Sequence, residues 1–359
     1  MQAIKLGIIG LGKAWERLHA PALAQLTDKF VITAICDSDP DKAHQAASWM
    51  GLAHSSVYYD YDKMLVEADI EAVDIMLPIT ENFECARAAI IRGKHLVAEK
   101  PLAATLESAR ELIRLKKRSE VIMLVAENSR YEEENQIIKQ LLDEGRIGNP
   151  VYFIDNHVIQ FQKDMTDSGN FAASQWRRDA DFKGGVFLDT GIHHVARQRF
   201  LFGDVRFLYA TGRPSEAEFA PYSALHALLT FDGYLTGQYN FFITGAETQS
   251  PAVGLRIFGT EGEIYLENKD CGFVNVSRKE SAVSGAGRSA SWPNTCTHEV
   301  IPYTPNAGYR QELINFYEAL RNKKEITSTP EKAIGDMEVI FNMLESANNL
   351  SDLSNKHPA

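Results

Sequence analysis

The sequence predicts two folds in succession, an α/β domain with a parallel sheet and then an α+β domain with a large, mostly antiparallel open sheet. Up to residue 127, short apolar strands alternate with helices of about 10–15 residues, which is typical of βαβ units. After residue 128, longer strands of alternating polarity dominate. Because 359 residues exceed what one core usually covers, we place the domains at 1–127 and 128–359.

Local patterns predict each element of the first domain. Runs of Val, Ile and Leu predict strands, and apolar residues at helical spacing predict the helices between them. Pro40 stands in the first turn of one helix and Gly51 ends it, whereas Pro21 falls inside another helix, which must accommodate it. The predicted strands are 3–9, 30–37, 57–58, 72–78, 94–101 and 121–127, and the predicted helices are 13–26, 40–51, 81–92 and 105–118.

The second domain is predicted to begin with a connecting helix that ends at Gly145. Asp232-Gly233 separates two alternating runs and is a strong hairpin signal. A Ser/Gly-rich stretch at 280–296 is predicted as a loop. The predicted strands are 151–161, 206–212, 223–231, 234–243, 253–259, 262–268 and 272–278, and the helices lie near 187–202, 308–322 and 330–346.

The predicted open sheet needs a cover on both faces, because the run LTFDGYLTGQYNFFITG (229–245) is apolar and aromatic on much of each face. Helices can cover one face. A second copy of the chain would cover the other, which predicts a homodimer or homotetramer that assembles through the C-terminal sheet. The alternative is that the loops at 160–183 and 280–296 cover it.

The composition excludes several classes of partner. The formal net charge of −11 argues against a nucleic-acid groove and against an anionic membrane surface. No apolar segment approaches the roughly 18 residues of a membrane span. The four cysteines form no C-x-x-C pair and no cluster with histidines, so we expect free thiols and no metal site. We therefore expect a cytoplasmic protein that binds neither nucleic acid nor membrane.

A Gly-x-Gly loop follows the first predicted strand and precedes a helix, which is the context of a dinucleotide site. Gly10 permits the tight turn, and Gly12 lets a pyrophosphate approach the backbone. Trp15 stands where a third small residue is usual, so Ala14 would provide the close approach there. We expect the Trp15 indole to turn outward and to face the cofactor cleft or the domain junction, near the pyrophosphate or nicotinamide end; the alternative is that it packs against the neighbouring helix.

Asp37 ends the second predicted strand, where a carboxylate can accept hydrogen bonds from both ribose hydroxyls of an adenosine. The same carboxylate repels a 2′-phosphate, and Ser38 follows where an arginine would favour one. The sequence therefore predicts NAD rather than NADP. The alternative is a solvated turn carboxylate that precedes the next helix.

Two further stretches carry groups suited to catalysis. Lys100 lies in AEKP at the end of the fifth predicted strand, at the sheet edge where ligands bind in open α/β folds. Asp189 and His193 are four residues apart and would share one helix face, while His194 would face elsewhere. The alternatives are a solvated lysine and a structural His–Asp hydrogen bond.

Together and in this order, these elements resemble the Gfo/Idh/MocA oxidoreductases, the family of glucose–fructose oxidoreductase and inositol dehydrogenase. The resemblance covers nearly the whole chain, and the pairing of EKP with G-G-x-x-x-L-D-x-G-x-H is its most specific part. The matching segments are GIIGLG…HAPAL (7–23), Asp37, LPITENFE (77–84), EKP (99–101), NSRY…LLDEGRIGNP (128–150), WRRD (176–179), GGVFLDTGIHH (184–194), FGTEGEI (258–264) and YRQELINF (309–316).

The resemblance implies a Rossmann domain, a C-terminal α/β domain, and catalysis by Lys100, Asp189 and His193. His193 would take or return the hydroxyl proton and Lys100 would stabilise the charge on oxygen, although the sequence leaves open which of the two moves the proton. Asp189 would orient His193 or a substrate hydroxyl. The residues it implies for cofactor binding are Gly10, Gly12, Lys13, Ala14, Trp15, Asp37, Ser38, Leu77, Pro78, Asn82, Glu99, Lys100 and Asn128.

Three departures from the family pattern bear on the pocket. Leu77 replaces a frequent threonine, Asn82 a frequent histidine, and Ala196 a frequent aspartate. The last change obscures the identity of the substrate. Six residues are candidates for contact with substrate or nicotinamide, each with a structural alternative, such as packing for Trp176, a salt bridge for Arg177 and a solvated sheet face for His157. They are Arg130, Tyr131, His157, Trp176, Arg177 and His194.

The predicted function is an NAD(H)-dependent oxidoreductase that acts on a secondary hydroxyl, or its ketone, in a sugar, sugar derivative or cyclitol. Two alternatives are a non-catalytic NAD-binding regulator and a redox-neutral NAD-dependent glycosidase of the same family. Retention of Lys100, Asp189 and His193 together favours an enzyme over the regulator.

Overall fold

The computed structural model describes residues 2–159, 175–178, 182–215, 219–243, 254–279 and 296–354. These residues form two compact units. The first unit comprises the described residues of Met1–Tyr131, Ser168–Ala196 and Ala307–Ile340, and the second comprises those of Glu132–Asp167, Arg197–Asn306 and Phe341–Ala359. The first unit thus extends past residue 127 and takes in two later segments. Most of the predicted loop at 280–296 lies outside the described residues.

The described helices are α1 (Ala20–Leu23), α2 (Pro40–Met50), α3 (Tyr61–Glu67), α4 (Ile79–Ile91), α5 (Leu106–Lys117), α6 (Glu133–Asp143), α7 (Ile192–Phe202), α8 (Gly308–Asn322) and α9 (Pro330–Ser354). Two π-helical turns, Trp15–His19 and Phe187–Gly191, precede α1 and α7. Short 3₁₀ turns lie at His54–Ser56, Asn128–Arg130, Gln175–Arg178 and Asp232–Tyr234. Pro21 is accommodated because it stands in the first turn of α1. None of the helices among the described residues has the length and apolarity needed to cross a membrane.

The described strands are β1 (Ile4–Ile9), β2 (Phe30–Cys36), β3 (Val57–Tyr58), β4 (Ala72–Ile75), β5 (His95–Glu99), β6 (Met123–Ala126), β7 (Pro150–Val158), β8 (Val205–Pro214), β9 (Tyr222–Phe231), β10 (Thr236–Phe242), β11 (Gly254–Gly259), β12 (Gly262–Leu266), β13 (Phe273–Lys279) and β14 (Cys296–Pro302).

The sheet of the first unit is parallel and, within the described residues, has six strands in the order β3-β2-β1-β4-β5-β6. The central strands are apolar along nearly their whole length, as expected where helices cover both faces. The strand order reverses between β1 and β4, which places the main ligand-binding crevice at the carboxyl ends of these strands. This architecture confirms the predicted Rossmann domain.

Trp15 belongs to the hydrophobic core of the first unit. Only 4% of its surface is exposed, and it lies in a buried cluster with Phe30, Phe316 and Tyr317, the last two on α8. Burying an indole is worth about 2–3 kcal/mol, which favours the inward orientation. The expectation that the indole faces outward is therefore wrong, and the alternative, packing against a helix, holds.

The second unit contains a mixed, mostly antiparallel sheet of eight strands among the described residues, in the order β14-β13-β12-β11-β7-β10-β9-β8. Only the β7–β10 pair is parallel within this part of the chain. The Asp232–Gly233 signal is confirmed, since β9 and β10 pair antiparallel around it. The structure thus confirms the predicted open sheet.

The two faces of this sheet differ in burial. On one face, Phe153, Tyr239 and Phe241 are fully buried, and the Phe153 ring stacks at 4.8 Å on Phe202 of α7. The opposite face, called here the open face, exposes six large apolar side chains on β7, β8, β9, β13 and β14. They are Tyr152, Phe207, Tyr209, Leu228, Phe273 and Val300.

Two elements were not predicted from the sequence, α3 and β14. Helix α3 is only seven residues long, although Asp60 caps it by accepting hydrogen bonds from the backbone N–H groups of Asp62 and Lys63. Strand β14 pairs with β13 at the sheet edge, and nearly all its residues are exposed, so it lacks the alternation that marks a half-buried strand.

Candidate active site

The glycine loop has the shape that a dinucleotide requires. Gly10 has φ +91°, and a Cβ there would lie 2.4 Å from the carbonyl oxygen of Met76, so glycine is needed for the turn itself. A Cβ at Gly12 would instead meet nothing within 4 Å. Gly12 therefore leaves the side of the loop open where a pyrophosphate can approach the backbone.

Asp37 is fixed at the carboxyl end of β2. Its Oδ2 accepts a hydrogen bond from the Leu11 N–H at 2.8 Å and its Oδ1 one from the Asp39 N–H at 2.9 Å. Each carboxylate oxygen keeps a further lone pair that can accept from a ribose hydroxyl. The loop and Asp37 together fit the adenosine and pyrophosphate of a nicotinamide dinucleotide.

Lys100 and Asp189 are brought together, as the family resemblance implies. The Lys100 ammonium donates to the backbone oxygen of Asp189 at 2.7 Å and to its Oδ1 at 3.2 Å. Arg177 holds the same carboxylate, with Nε 2.5 Å from Oδ2 and Nη2 3.3 Å from Oδ1. Burial alone raises the pKa of Asp189, but the charges of Lys100 and Arg177 outweigh it and hold that pKa well below its usual range.

His193 is paired with Glu127, a residue that the sequence reasoning missed. Its Nδ1 lies 2.7 Å from Oε1 of Glu127, which is 2% exposed and immediately follows β6. Ser129 donates its backbone N–H to the same oxygen at 3.2 Å, and its hydroxyl donates there too. Burial raises the pKa of Glu127, but the charge and hydrogen bond of His193, with help from Ser129 and Lys100, lower it to about 2.

The expectation that Asp189 orients His193 is therefore not met. The Asp189 carboxylate is occupied by two cations, and the imidazole has a different carboxylate as its partner. The sequence did carry a signal for Glu127, because a carboxylate directly after a strand of a parallel sheet lies at the ligand-binding edge.

Glu99 and Asn82 hold the loop that carries Lys100. Glu99 accepts the Lys100 N–H on Oε2 at 3.0 Å, and its carbonyl accepts from the Asn82 side chain at 3.0 Å. Its other carboxylate oxygen lies 3.0 Å from Nε2 of His19. The remaining predicted cofactor residues of this unit are partly or fully exposed near the same sheet edge. They are Lys13, Ala14, Ser38, Leu77, Pro78 and Asn128.

Arg130 and Tyr131, two of the substrate candidates, make internal contacts in the first unit. The Arg130 guanidinium lies 2.5 Å from Asp336, and only 2% of the residue is exposed. The Tyr131 hydroxyl donates to Asn315 at 2.9 Å and accepts the Ser328 N–H at 3.0 Å. These contacts match the structural alternative for both residues.

Trp176 and His157 also have protein partners. The Arg177 guanidinium lies 4.3 Å above the Trp176 ring, and the Phe182 ring contacts it edge-on at 5.5 Å. In the second unit, Nε2 of His157 lies 2.9 Å from Asp155 and 3.1 Å from Arg197. Burial lowers the pKa of His157 despite the charge of Asp155. His194, the residue after His193, is partly exposed.

The part of the chain that the structure describes contains no group of three or more His, Cys, Asp or Glu residues arranged to hold a metal ion. In the first unit, the groups suited to chemistry are the glycine loop, the Lys100–Asp189–Arg177 ion cluster and the Glu127–His193 dyad.

Comparison with known proteins places this arrangement in a family. Residues 4–127 match the Gfo/Idh/MocA oxidoreductase family's NAD-binding Rossmann fold, and residues 139–352 match its C-terminal alpha/beta domain. The chain is 23% identical to the uncharacterized protein YMR315W of Saccharomyces cerevisiae over 352 residues, which is 97% of each chain.

Two further comparisons concern an enzyme and a solved structure. A D-xylose 1-dehydrogenase [NADP(+)] of Haloarcula marismortui is 25% identical over 74% of this chain and 72% of its own length. An oxidoreductase from Thermotoga maritima has the same fold, with a TM-score of 0.82, 24% identity, and coverage of 97% of this chain and 98% of that one. Several other curated oxidoreductases match over about half of their own length. The chain belongs to the Gfo/Idh/MocA oxidoreductase family.

Proposed function

We propose that the protein is an NAD(H)-dependent oxidoreductase that acts on a secondary hydroxyl, or its ketone, in a sugar, sugar derivative or cyclitol. The observation that carries the proposal is the presence, in one compact unit, of a fixed ammonium at Lys100 and a carboxylate-bound imidazole at His193. A dehydrogenase needs a charge to stabilise the reacting oxygen and a group to move its proton. The name of the D-xylose dehydrogenase relative supports a sugar substrate.

When bound, NAD would accept a hydride from the carbinol carbon, and NADH would return one to the carbonyl carbon. His193 takes the hydroxyl proton on Nε2, because Nδ1 is bound to Glu127 and the dyad stabilises the imidazolium that forms. In the reduction direction the same nitrogen returns the proton.

Lys100 acts as a fixed positive charge rather than as the proton carrier. Its ammonium donates one hydrogen bond to the backbone oxygen of Asp189 and one to the Asp189 carboxylate, which Arg177 also binds. Held in this way, the ammonium can stabilise negative charge on the substrate oxygen by hydrogen bonding. Asp189 thus positions Lys100, and His193 is left to move the proton.

NAD is the preferred cofactor in this proposal. The Asp37 carboxylate ends β2 and repels a 2′-phosphate, and Ser38 offers no positive charge to offset that repulsion. The xylose dehydrogenase relative is named for NADP(+), so the preference needs a direct test. We expect kcat/KM to be at least about tenfold higher with NAD than with NADP, and Asp37→Ala with Ser38→Arg to reverse the ratio.

The active protein is proposed to be a cytoplasmic homodimer or homotetramer that assembles through the open face. Cys36, Cys85 and Cys271 are free thiols, which suits a reducing compartment. The apolar side chains of the open face, such as Leu228 at 52% exposure, are typical of a surface that a second copy covers. Leu228→Glu should yield monomers in light scattering after gel filtration, whereas Val66→Glu, an exposed apolar residue on α3, should leave the assembly intact.

The decisive experiment follows NADH absorbance while polyols, sugars and sugar phosphates are screened. Turnover with one of these classes, lost in Lys100→Ala while NAD still binds, supports the proposal. NAD binding without turnover on the whole panel contradicts a net dehydrogenase. Release of aglycone from a glycoside panel would then identify a redox-neutral glycosidase, and its absence would favour the regulator.

A further inference from the structure

Three charged side chains, His19, Asp74 and Glu99, form an ion triad that contacts the backbone of Lys100. His19, the last residue of the π-helical turn after the glycine loop, is 1% exposed and has a carboxylate on each ring nitrogen. Its Nδ1 lies 2.8 Å from Oδ2 of Asp74, and its Nε2 lies 3.0 Å from Oε1 of Glu99. The three residues lie on three segments of the first unit: the π-helical turn that follows β1, strand β4 and the end of β5.

The two carboxylates of this triad shift the pKa of His19. Burial lowers the pKa of His19, but the charges and hydrogen bonds of Asp74 and Glu99 outweigh it and raise that pKa well above its usual value. His19 is therefore an imidazolium that donates to both carboxylates. Glu312 on α8 is fully buried nearby, and burial with the charges of Glu99, Asp74 and Glu127 raises the pKa of its carboxyl well above its usual value, although His19 opposes this.

The triad reaches Lys100 through Glu99. The Glu99 carboxylate accepts His19 on one oxygen and the backbone N–H of Lys100 on the other, at 3.0 Å each. The Lys100 side chain in turn reaches Asp189. Charged hydrogen bonds thus connect the helical turn after the glycine loop to the backbone of Lys100, whose ammonium binds Asp189.

We propose that His19 is a positioning residue for the reaction: it fixes Glu99 on the Lys100 backbone and so couples the cofactor loop to the placement of the Lys100 ammonium. The inference rests on the proposed function, since it is Lys100 that gives the placement its effect on rate. Without their shared cation, the buried Asp74 carboxylate and the Glu99 carboxylate, whose side chain is 14% exposed, would repel each other and turn away. A displacement of about 1 Å at a catalytic group can lower the rate by about a hundredfold.

The test uses His19→Gln and Glu99→Gln in the full chain. Glutamine at 19 has its two N–H donors on a single nitrogen and carries no charge, whereas glutamine at 99 still accepts the Lys100 N–H and loses its ion pair with His19. We expect kcat to fall about tenfold or more in each, with the Kd for NAD changed less than about threefold. The matched control is Glu338→Gln, which removes an exposed ion pair with Arg110 in the same unit and should leave kcat unchanged.

A double-mutant cycle separates positioning from general damage. In a Lys100→Ala background, His19→Gln should cause no further fall in the residual rate, although it still lowers Tm. An equal fall in both backgrounds, or a His19→Gln enzyme that keeps kcat within about twofold, would overturn the proposal. If His19→Gln does not fold, Glu99→Gln carries the same cycle.

A readout without turnover distinguishes failure of this inference from failure of the proposed function. In the NAD-free protein, hydrogen exchange of a peptide spanning 99–103 should quicken in His19→Gln and stay unchanged in Glu338→Gln. If exchange quickens in His19→Gln but the wild-type protein has no dehydrogenase activity, the proposed function is refuted. The link between His19 and residues 99–103 is then retained. Unchanged exchange at 99–103 refutes the link itself.

Discussion

Oε1 of Glu127 lies 2.7 Å from Nδ1 of His193, although 66 residues separate the two in the chain. The contact joins the end of β6 to the start of α7 and leaves Nε2 of the imidazole to act on a substrate proton. It also explains why Glu127 stays ionised while 98% of its surface is buried, since His193 and Ser129 compensate for its burial.

Replacing the carboxylate of this dyad should slow the reaction. In Glu127→Gln the amide can still hydrogen-bond to His193 but no longer stabilises a positive imidazole, so we expect kcat to fall about tenfold to a hundredfold. Steady-state kinetics with the best substrate from the panel measure the change. Glu111→Gln, which removes an exposed ion pair with Arg87, is the control. A kcat within twofold of wild type in Glu127→Gln would show that the dyad has no part in proton transfer.

The two loop glycines should respond differently to alanine. Gly10→Ala places a Cβ 2.4 Å from the Met76 carbonyl at a positive φ, so we expect a lower Tm and a loss of stability of about 2 kcal/mol or more. Gly12→Ala meets no protein atom within 4 Å, so Tm should be unchanged while NAD binds about tenfold more weakly. Thermal melts and fluorescence titration with NAD check both variants. If Gly12→Ala binds NAD as tightly as wild type, the pyrophosphate does not lie against this glycine.

Removing the carboxylate shared by two cations should be costly for stability. In Asp189→Asn, Lys100 and Arg177 lose their common counter-charge while their side chains stay only 15% and 12% exposed. We expect a loss of about 3 kcal/mol, measured by urea denaturation. Asp204→Asn removes an exposed partner of Arg199 and should cost about 1 kcal/mol or less. Equal losses in the two variants would contradict the assigned role of Asp189.

Glu312 should make the protein less stable as pH rises. Burial, together with Glu99, Asp74 and Glu127, raises the pKa of its carboxyl well above 4.5, although His19 opposes this. The folded state therefore holds the proton more tightly than the unfolded state, and stability falls as pH rises from 4.5 toward the raised pKa. Glu312→Gln is neutral at every pH, so its Tm should exceed that of wild type at pH 8.

The difference between Glu312→Gln and wild type should vanish below about pH 4.5, where both side chains are neutral even when unfolded. Melting curves from pH 4 to pH 9 check this, with exposed Glu111→Gln showing no such trend. A Glu312→Gln protein that is less stable than wild type at pH 8 would mean that the carboxylate is ionised and paired in the fold.

Local sequence patterns predicted the architecture and most of the candidate site residues of this protein. Periodic apolar runs are local signals, so they set the strands of both sheets, and glycine and capping residues marked the ends of elements such as α2. Gly10, Gly12, Asp37 and Lys100 were visible because each depends on its place next to a strand.

Which side chains contact one another became visible only in the folded structure. His193 pairs with Glu127 rather than Asp189, Trp15 turns into the core, and Arg130 binds Asp336 across 206 residues of sequence. Such choices depend on which of several charged or apolar neighbours the packed chain brings within about 3–4 Å, and a spacing pattern along the chain carries no information about that. Strand β14 was missed for a related reason, since its partner β13 and not its own pattern of polarity makes it a strand.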